Sequence, residues 1–366
     1  MTRVMSPLFF AFLICLLQCV ASFSSSNNRQ GVSSAATIAS STKNNNILIL
    51  DHLNINHQKG RHDWLKAFYI DFLQCALDPR KMQNVEKGEK TIWANIGAQQ
   101  LHLPEGKPDA QVLDGLVTLV YPDLKTLESR SKSAQEALQV SKFDLQRLDD
   151  SSLMVTDPWG SKFKLVSSDS EDEERDSRGS QPGEMSEGVA MRDITIHTPS
   201  DCNLQGIGRF YEQILGSCVA SIDDDCVRIA VGPKQTLTFQ TNPFSTVTSH
   251  VDLRDEEVEI PEGAPTFLSN YGPHVSMYVA DLPSAYRRAD DLGVAYVNPR
   301  FSRRAYTLDQ AIDDCMFRCL DIVDPDNVEA GPILKLEHEV RSVVKRDGSK
   351  YKSCPFDQIP DGCISA

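Results

Sequence analysis

Hydrophobic and polar positions along this chain alternate in short runs, and stretches of helical spacing interrupt them. Residues 47–56, ILILDHLNIN, place His52, Asn54 and Asn56 on one face and Leu53 and Ile55 on the other, which predicts a strand. In RHDWLKAFYIDFLQ (61–74), Trp64, Leu65, Phe68 and Phe72 recur at helical spacing and predict an amphipathic helix. TIWANIGA and QQLHLPEG follow as strands. In the second, Leu101 and Leu103 share one face while Gln100 and His102 share the other.

The order recurs. DGLVTLVYP (114–122) reads as a strand, DLKTLESRSKSAQEAL as a helix, and FDLQRLDD, SSLMVTDPWG and SKFKLVSS as strands and turns. MRDITIHTP leads into a helix around IGRFYEQIL, then CVRIAVGP and QTLTFQTN. Last, HVSMYVADL (274–282) leads into the helix PSAYRRADDLG, and CMFRCLDIVDPD and PILKLEHEV close the series. The expected fold class is α+β, with tandem βαβββ modules in four copies forming two curved-sheet domains. The copies are too long and too few for a solenoid.

Composition sets the boundaries. Arg3, the apolar run Leu8 to Val20 and the small pair Ala21-Ser22 read as a signal peptide, 1–22. Residues 23–46 are rich in Ser, Thr and Asn and contain no acid, as in a transit peptide. With ASF at the cut, the two together resemble the bipartite leader of proteins bound for complex plastids; plain secretion is the alternative. The stretch 167–189 is acidic and nearly devoid of apolar residues, and is expected to be a disordered linker. It divides the mature chain into domains 47–166 and 190–341, followed by a polar, loosely ordered tail, 342–366.

The net charge of −14 argues against a nucleic-acid partner. The mature chain is expected to be a monomer or homodimer off the membrane, with a small molecule as its partner. Eight cysteines follow the leader with no CxxC pair. Cys315 and Cys319 read as core, and Cys354 with Cys363 is the one pair open to a bridge.

LDHLNIN, QQLHLPEG, VTDPWGSKFKLV, PHVSMYVADLPSAYRRADDLG and DIVDPDN, in that order, resemble the vicinal oxygen chelate superfamily of glyoxalases, extradiol dioxygenases and bleomycin-resistance proteins. The resemblance implies pairs of modules closing a cup around a divalent metal. Each module gives one ligand near the start of its first strand and one on its last strand. Carried over residue by residue, the first module supplies His52 and His102. The second offers Leu116 and Lys164, neither of them a useful ligand, and the third offers Asp193 with Thr238 opposite. The fourth offers His274 and Glu337, with Lys335 as the alternative to Glu337. If sequential modules pair, Asp193, His274 and Glu337 share a cup; if the first pairs with the fourth, His52, His102, His274 and Glu337 do.

The resemblance further implies a metal-dependent lyase or isomerase acting on an α-oxo compound or its thiol adduct, with Glu337 as ligand or base. Zn, Ni, Mn and Fe are not distinguished. Asn54, Asn56, Gln100, His197 and Tyr278 are the expected substrate-binding residues. The alternatives are a non-catalytic small-ligand-binding protein, which Lys162 and Lys164 would suit if its ligand is anionic, and an extradiol-type dioxygenase. His57, His62 and His250 are given no role, and His338 is read as packing or surface and not as a ligand.

Overall fold

The computed structural model describes residues 45–106, 110–168, 185–250, 273–298 and 305–364. The expected leader up to residue 44, most of the acidic linker, the loop 251–272 and most of the basic cluster 300–306 lie outside the described residues. Sixteen strands of the described residues fall into four runs. The first holds β1 (Ile47–Asn54), β2 (Ala76–Leu77), β3 (Ile92–Ile96) and β4 (Gln99–Leu103). The second holds β5 (Gly115–Tyr121), β6 (Asp144–Asp149), β7 (Ser152–Thr156) and β8 (Lys162–Ser167). The third holds β9 (Ala190–Thr198), β10 (Cys218–Ile222), β11 (Cys226–Gly232) and β12 (Gln235–Thr241). The fourth holds β13 (His274–Val279), β14 (Ala295–Tyr296), β15 (Met316–Val323) and β16 (Pro332–Ser342).

These strands make two eight-stranded mixed sheets, and the strand order answers the pairing question. One sheet runs β14-β15-β16-β13-β1-β4-β3-β2, the other β10-β11-β12-β9-β5-β8-β7-β6. The first run therefore joins the fourth, and the second joins the third. The halves 47–166 and 190–341 do not correspond to the two sheets, because each half gives strands to both. The acidic segment joins β8 to β9 within one sheet, and the connections β4–β5 and β12–β13 pass between sheets. Alternation patterns set which face a strand buries, but they carry no information on which strand it pairs with.

The strands turn their apolar face to the helices. Helix His62–Leu65 continues as a π-helical turn, Lys66–Phe72, and its Phe68 meets Phe163 of β8 at 5.7 Å between ring centroids. Helix Leu204–Phe210, extended by Tyr211–Leu215, does the same on the other side, where the Tyr211 hydroxyl bonds His338 of β16. Each of these helices thus packs on a strand of the sheet its own run does not join, and one apolar core draws on both sheets. A side chain such as Phe68, wholly buried, contributes roughly 1.5–3 kcal/mol of transfer free energy. Cys315 and Cys319 are buried as expected, and the eight described cysteines are free thiols. No described helix is long and apolar enough to cross a membrane.

The tail corrects its expectation. Tyr351, Cys354, Phe356 and Cys363 pack on Ile49, Tyr278, Val343 and Val344 in a second apolar cluster. The Ile364 amide donates to the Ala280 carbonyl at 2.9 Å, and Arg346 reaches Asp313 at 2.6 Å. Its few apolar residues are spaced to meet one patch, a pattern that composition averages away.

Candidate metal centre

At the centre of the first sheet, β1 lies antiparallel to β13 and parallel to β4, and β13 lies parallel to β16. The registers bring the polar residues of these four strands into two adjacent rows. One row contains Gln100, His52, Ser276 and Glu339; the next contains His102, Asn54, His274 and Glu337. All eight are buried.

His52, His274 and Glu339 bring one ligand atom each to within 4.8 Å of one another. His274 Nε2 stands 3.8 Å from a Glu339 oxygen, and the His52 and His274 rings meet edge to face at 5.5 Å. The His52 Nδ1 bonds the Asp51 carboxylate at 2.8 Å. On a regular strand, consecutive side chains point to opposite faces. Here the ladder is irregular: β1 advances from Leu50 to His52 while β13 advances only from Met277 to Ser276. This bulge turns Asp51 toward its neighbour. With Nδ1 donating to Asp51, Nε2 carries the lone pair, and it is buried with no hydrogen-bond partner among the described residues. Asn54 Nδ2 and Ser276 Oγ are buried in the same condition. Buried polar atoms are rarely left so, and three on one face mark a place built for a ligand. An oriented imidazole with a carboxylate behind it, beside a second imidazole and a carboxylate, fits a divalent metal.

Electrostatics keep the donors in their ligating forms. Burial pushes the His52 imidazole down against the pull of Asp51, so it stays neutral. Burial, with Arg318 nearby, pushes His274 well below its ordinary range. Burial opposes the Glu339 charge, yet Arg318 and Arg341 outweigh it and hold that carboxyl well below the usual carboxylate range. Both guanidiniums bond Glu339 directly.

The other expected site residues take several places. His102 stacks on His52 at 3.7 Å and on Trp93 at 4.5 Å, and its Nε2 bonds Gln100 Oε1 at 3.1 Å, so it walls the site from outside the converging trio. Glu337 lies in the row of His274, one row from His52 and Glu339, bonded by Arg318 and held on both oxygens by Asn298 Nδ2 at 2.9 and 2.8 Å. Gln100 donates to Asp78 and Asn95, which fixes it as a link in a buried network. Asn56 is buried just past β1, and Tyr278 lies beside Arg341, whose Nη1 is 3.4 Å from its hydroxyl.

Asp193 and His197 lie in the other sheet, on β9, away from His274 and Glu337. Asp193 accepts from Thr195 at 2.6 Å, Thr236 at 2.5 Å and Thr238 at 2.6 Å, so a cradle of hydroxyls occupies its oxygens. His197 pairs with Asp114 at 3.0 Å. A sequential cup of Asp193, His274 and Glu337 is thus not formed, because β9 pairs with β5 and β13 with β1.

Sequence reasoning missed Glu339, Asp51, Arg318 and Arg341. LEHEV shows two glutamates of equal parity, and parity cannot say which one stands in the row of His52. Asp51 was hidden by the bulge. The arginines carried no motif signal.

No protein-family model matches the sequence, and no curated protein sequence does. Solved structures do resemble it. One is a point mutant of glyoxalase I from Zea mays, with 12% identity, 80% of this chain and 93% of that one covered, and a TM-score of 0.44. A second is a putative dioxygenase from Bacillus subtilis, with 11% identity, 81% and 86% covered, and a TM-score of 0.46. A third is a Mn(II)-bound glyoxalase from Novosphingobium aromaticivorans, with 11% identity, 86% and 87% covered, and a TM-score of 0.28. Two four-stranded runs join through an antiparallel central pair in each sheet. The fold is α+β, as the sequence leads one to expect, with two eight-stranded mixed sheets. Its histidine and glutamate cluster lies on the central strands of one sheet.

Proposed function

We propose that His52, His274 and Glu339 hold one divalent metal and that the chain is a metal-dependent enzyme for a small anionic substrate with two adjacent oxygens. The observation that carries this reading is the His52 Nε2, buried with no hydrogen-bond partner among the described residues, in an imidazole that Asp51 orients beside two other donors. Two histidines and one carboxylate with open positions form the donor set of non-haem iron oxygenases. This composition admits extradiol-type dioxygenation, and the state of the neighbouring carboxylates favours it over lyase or isomerase chemistry. When bound, the metal supplies a Lewis acid for the adjacent oxygens and, as iron, one-electron chemistry.

The chain's own residues support that preference. A proton-abstracting base works best with a pKa near the operating pH. Glu339 is held far below it by two arginines, which suits a permanent ligand. Both oxygens of Glu337, the expected base, are already engaged by Asn298. Arg318 and Arg341 flank the trio and offer guanidinium donors to a carboxylate or phenolate.

A second reading, a non-catalytic binding protein, draws on the same arginines: they balance the charge of Glu339 without a metal. The test is anaerobic loading with Fe²⁺, Mn²⁺ or Zn²⁺, followed by two assays on the parent and on His274→Gln. Oxygen uptake with catechols, lost in the variant, supports dioxygenation. Turnover of an α-oxoaldehyde–thiol adduct in its place returns the lyase reading. A metal bound at this trio with neither activity, or none bound, leaves the binding protein.

A further inference from the structure

A second group of donors lies past the ends of β1 and β4. His57 pairs with Glu105 in an isolated parallel bridge, and His62 opens the helix that follows β1. The His57, His62 and Glu105 ligand atoms all lie within 4.8 Å of one another. Each histidine spends its outer nitrogen on a backbone carbonyl. His57 Nδ1 is 3.1 Å from the Leu103 oxygen, and His62 Nε2 is 3.0 Å from the Lys90 oxygen. Each of those nitrogens therefore carries the proton, and His57 Nε2 and His62 Nδ1 keep lone pairs. Both are buried with no hydrogen-bond partner among the described residues, in side chains that are 1% and 8% exposed. Glu105 is half-buried. One of its oxygens accepts from the Gly60 amide at 3.1 Å, which ties the carboxylate to the loop between the histidines.

In the sequence, His57 and His62 read as loop and helix-start histidines with no role. The geometry changes that. A carbonyl behind each ring nitrogen is the arrangement that fixes tautomer and orientation in metal-binding histidines. Two buried lone pairs with no hydrogen-bond partner among the described residues call for a ligand.

We infer that His57, His62 and Glu105 form a three-ligand zinc site, separate from the central trio, whose fourth position falls to water. Three points no more than 4.8 Å apart have a centre at most about 2.8 Å from each. Inward movements of under about 1 Å therefore reach ordinary Zn–N and Zn–O lengths of roughly 2.0–2.2 Å. The ion would staple the end of β1, the end of β4 and the start of the first helix, next to Trp159 in the turn between β7 and β8, whose ring lies 6.1 Å from His57. Two neutral imidazoles and one carboxylate suit zinc, and the site needs no counterpart in the central trio.

The test uses the full chain carrying His274→Gln, which removes a donor of the central trio. Zinc is titrated against a chromophoric chelator, and Co²⁺ is added as a spectroscopic substitute. One zinc per chain is expected, with the visible absorption of four-coordinate cobalt and a rise in Tm on zinc addition. Glu105→Gln, whose fold is checked by circular dichroism, is expected to weaken binding by about tenfold or more. His57→Gln with His62→Gln is expected to abolish it. No zinc bound by the His274→Gln chain, or the same affinity after Glu105→Gln and after the double histidine change, would overturn the inference.

Discussion

Asp51 and His52 show how one extra residue in a strand changes what a side chain does. The bulge at that point lets neighbours in sequence face each other, so a carboxylate orients the imidazole beside it. Asp51→Asn keeps the shape but not the charge, and is expected to weaken metal affinity about 10–100-fold, read by competition titration. Glu339→Gln removes a donor and is expected to abolish the central metal. Glu337→Gln, one row from Glu339, should leave it bound. Equal loss in both would place the carboxylate ligand wrongly. His52 and His274 were legible in the sequence because each lies on the polar face of the first strand of its run. Glu339 was not, since alternation fixes the face and only the pairing register fixes the row.

Among the elements, strands and helices followed the hydrophobic pattern closely. ILILDHLN became β1 and HVSMYV became β13, as the pattern predicts. What the pattern could not carry was partnership. β1 finds β13 more than 200 positions away, and nothing local encodes that choice. The short strands β2 and β14, two residues each, were too brief to show a period. Close approaches between elements also escape a one-dimensional reading. Gly97, in the turn between β3 and β4, has a φ of +56°, and a Cβ there would stand 1.9 Å from the Val189 carbonyl oxygen. Gly97→Ala therefore combines left-handed strain with a backbone clash. It is expected to cost about 2–4 kcal/mol or more, measured by urea unfolding. In the tail, Phe356 meets Tyr278 with 6.4 Å between ring centroids. Phe356→Ala should lower stability by about 1–2 kcal/mol, since that ring is only half-buried. An unchanged midpoint would mean the tail does not pack.

For the whole molecule, helices wedged between the sheets make one core of two architectural halves. A single cooperative thermal transition is expected in place of two. Its pH dependence follows from buried histidines. Burial pushes both His250 and His338 down to about 4 from an ordinary value of 6.5. The unfolded chain then binds more protons than the native one between those values, so stability is full above about 6.5 and falls as pH drops toward 4. Asp157 opposes this. Burial raises it to about 6, so its contribution is full below its ordinary value and lost as pH rises through 6. The two histidines outweigh the one carboxyl, and stability should fall by at least about 2 kcal/mol from pH 7 to pH 5. His338→Gln should flatten that slope in chelator-treated protein.

The central claim is that the first and fourth runs, joined in one sheet, build the metal centre. Elemental analysis of the purified full chain beside His274→Gln and Asp193→Asn tests it most directly. His274→Gln should hold one metal equivalent less than the parent, and Asp193→Asn should match the parent. An unchanged metal count in His274→Gln, or a loss confined to Asp193→Asn, would contradict the account.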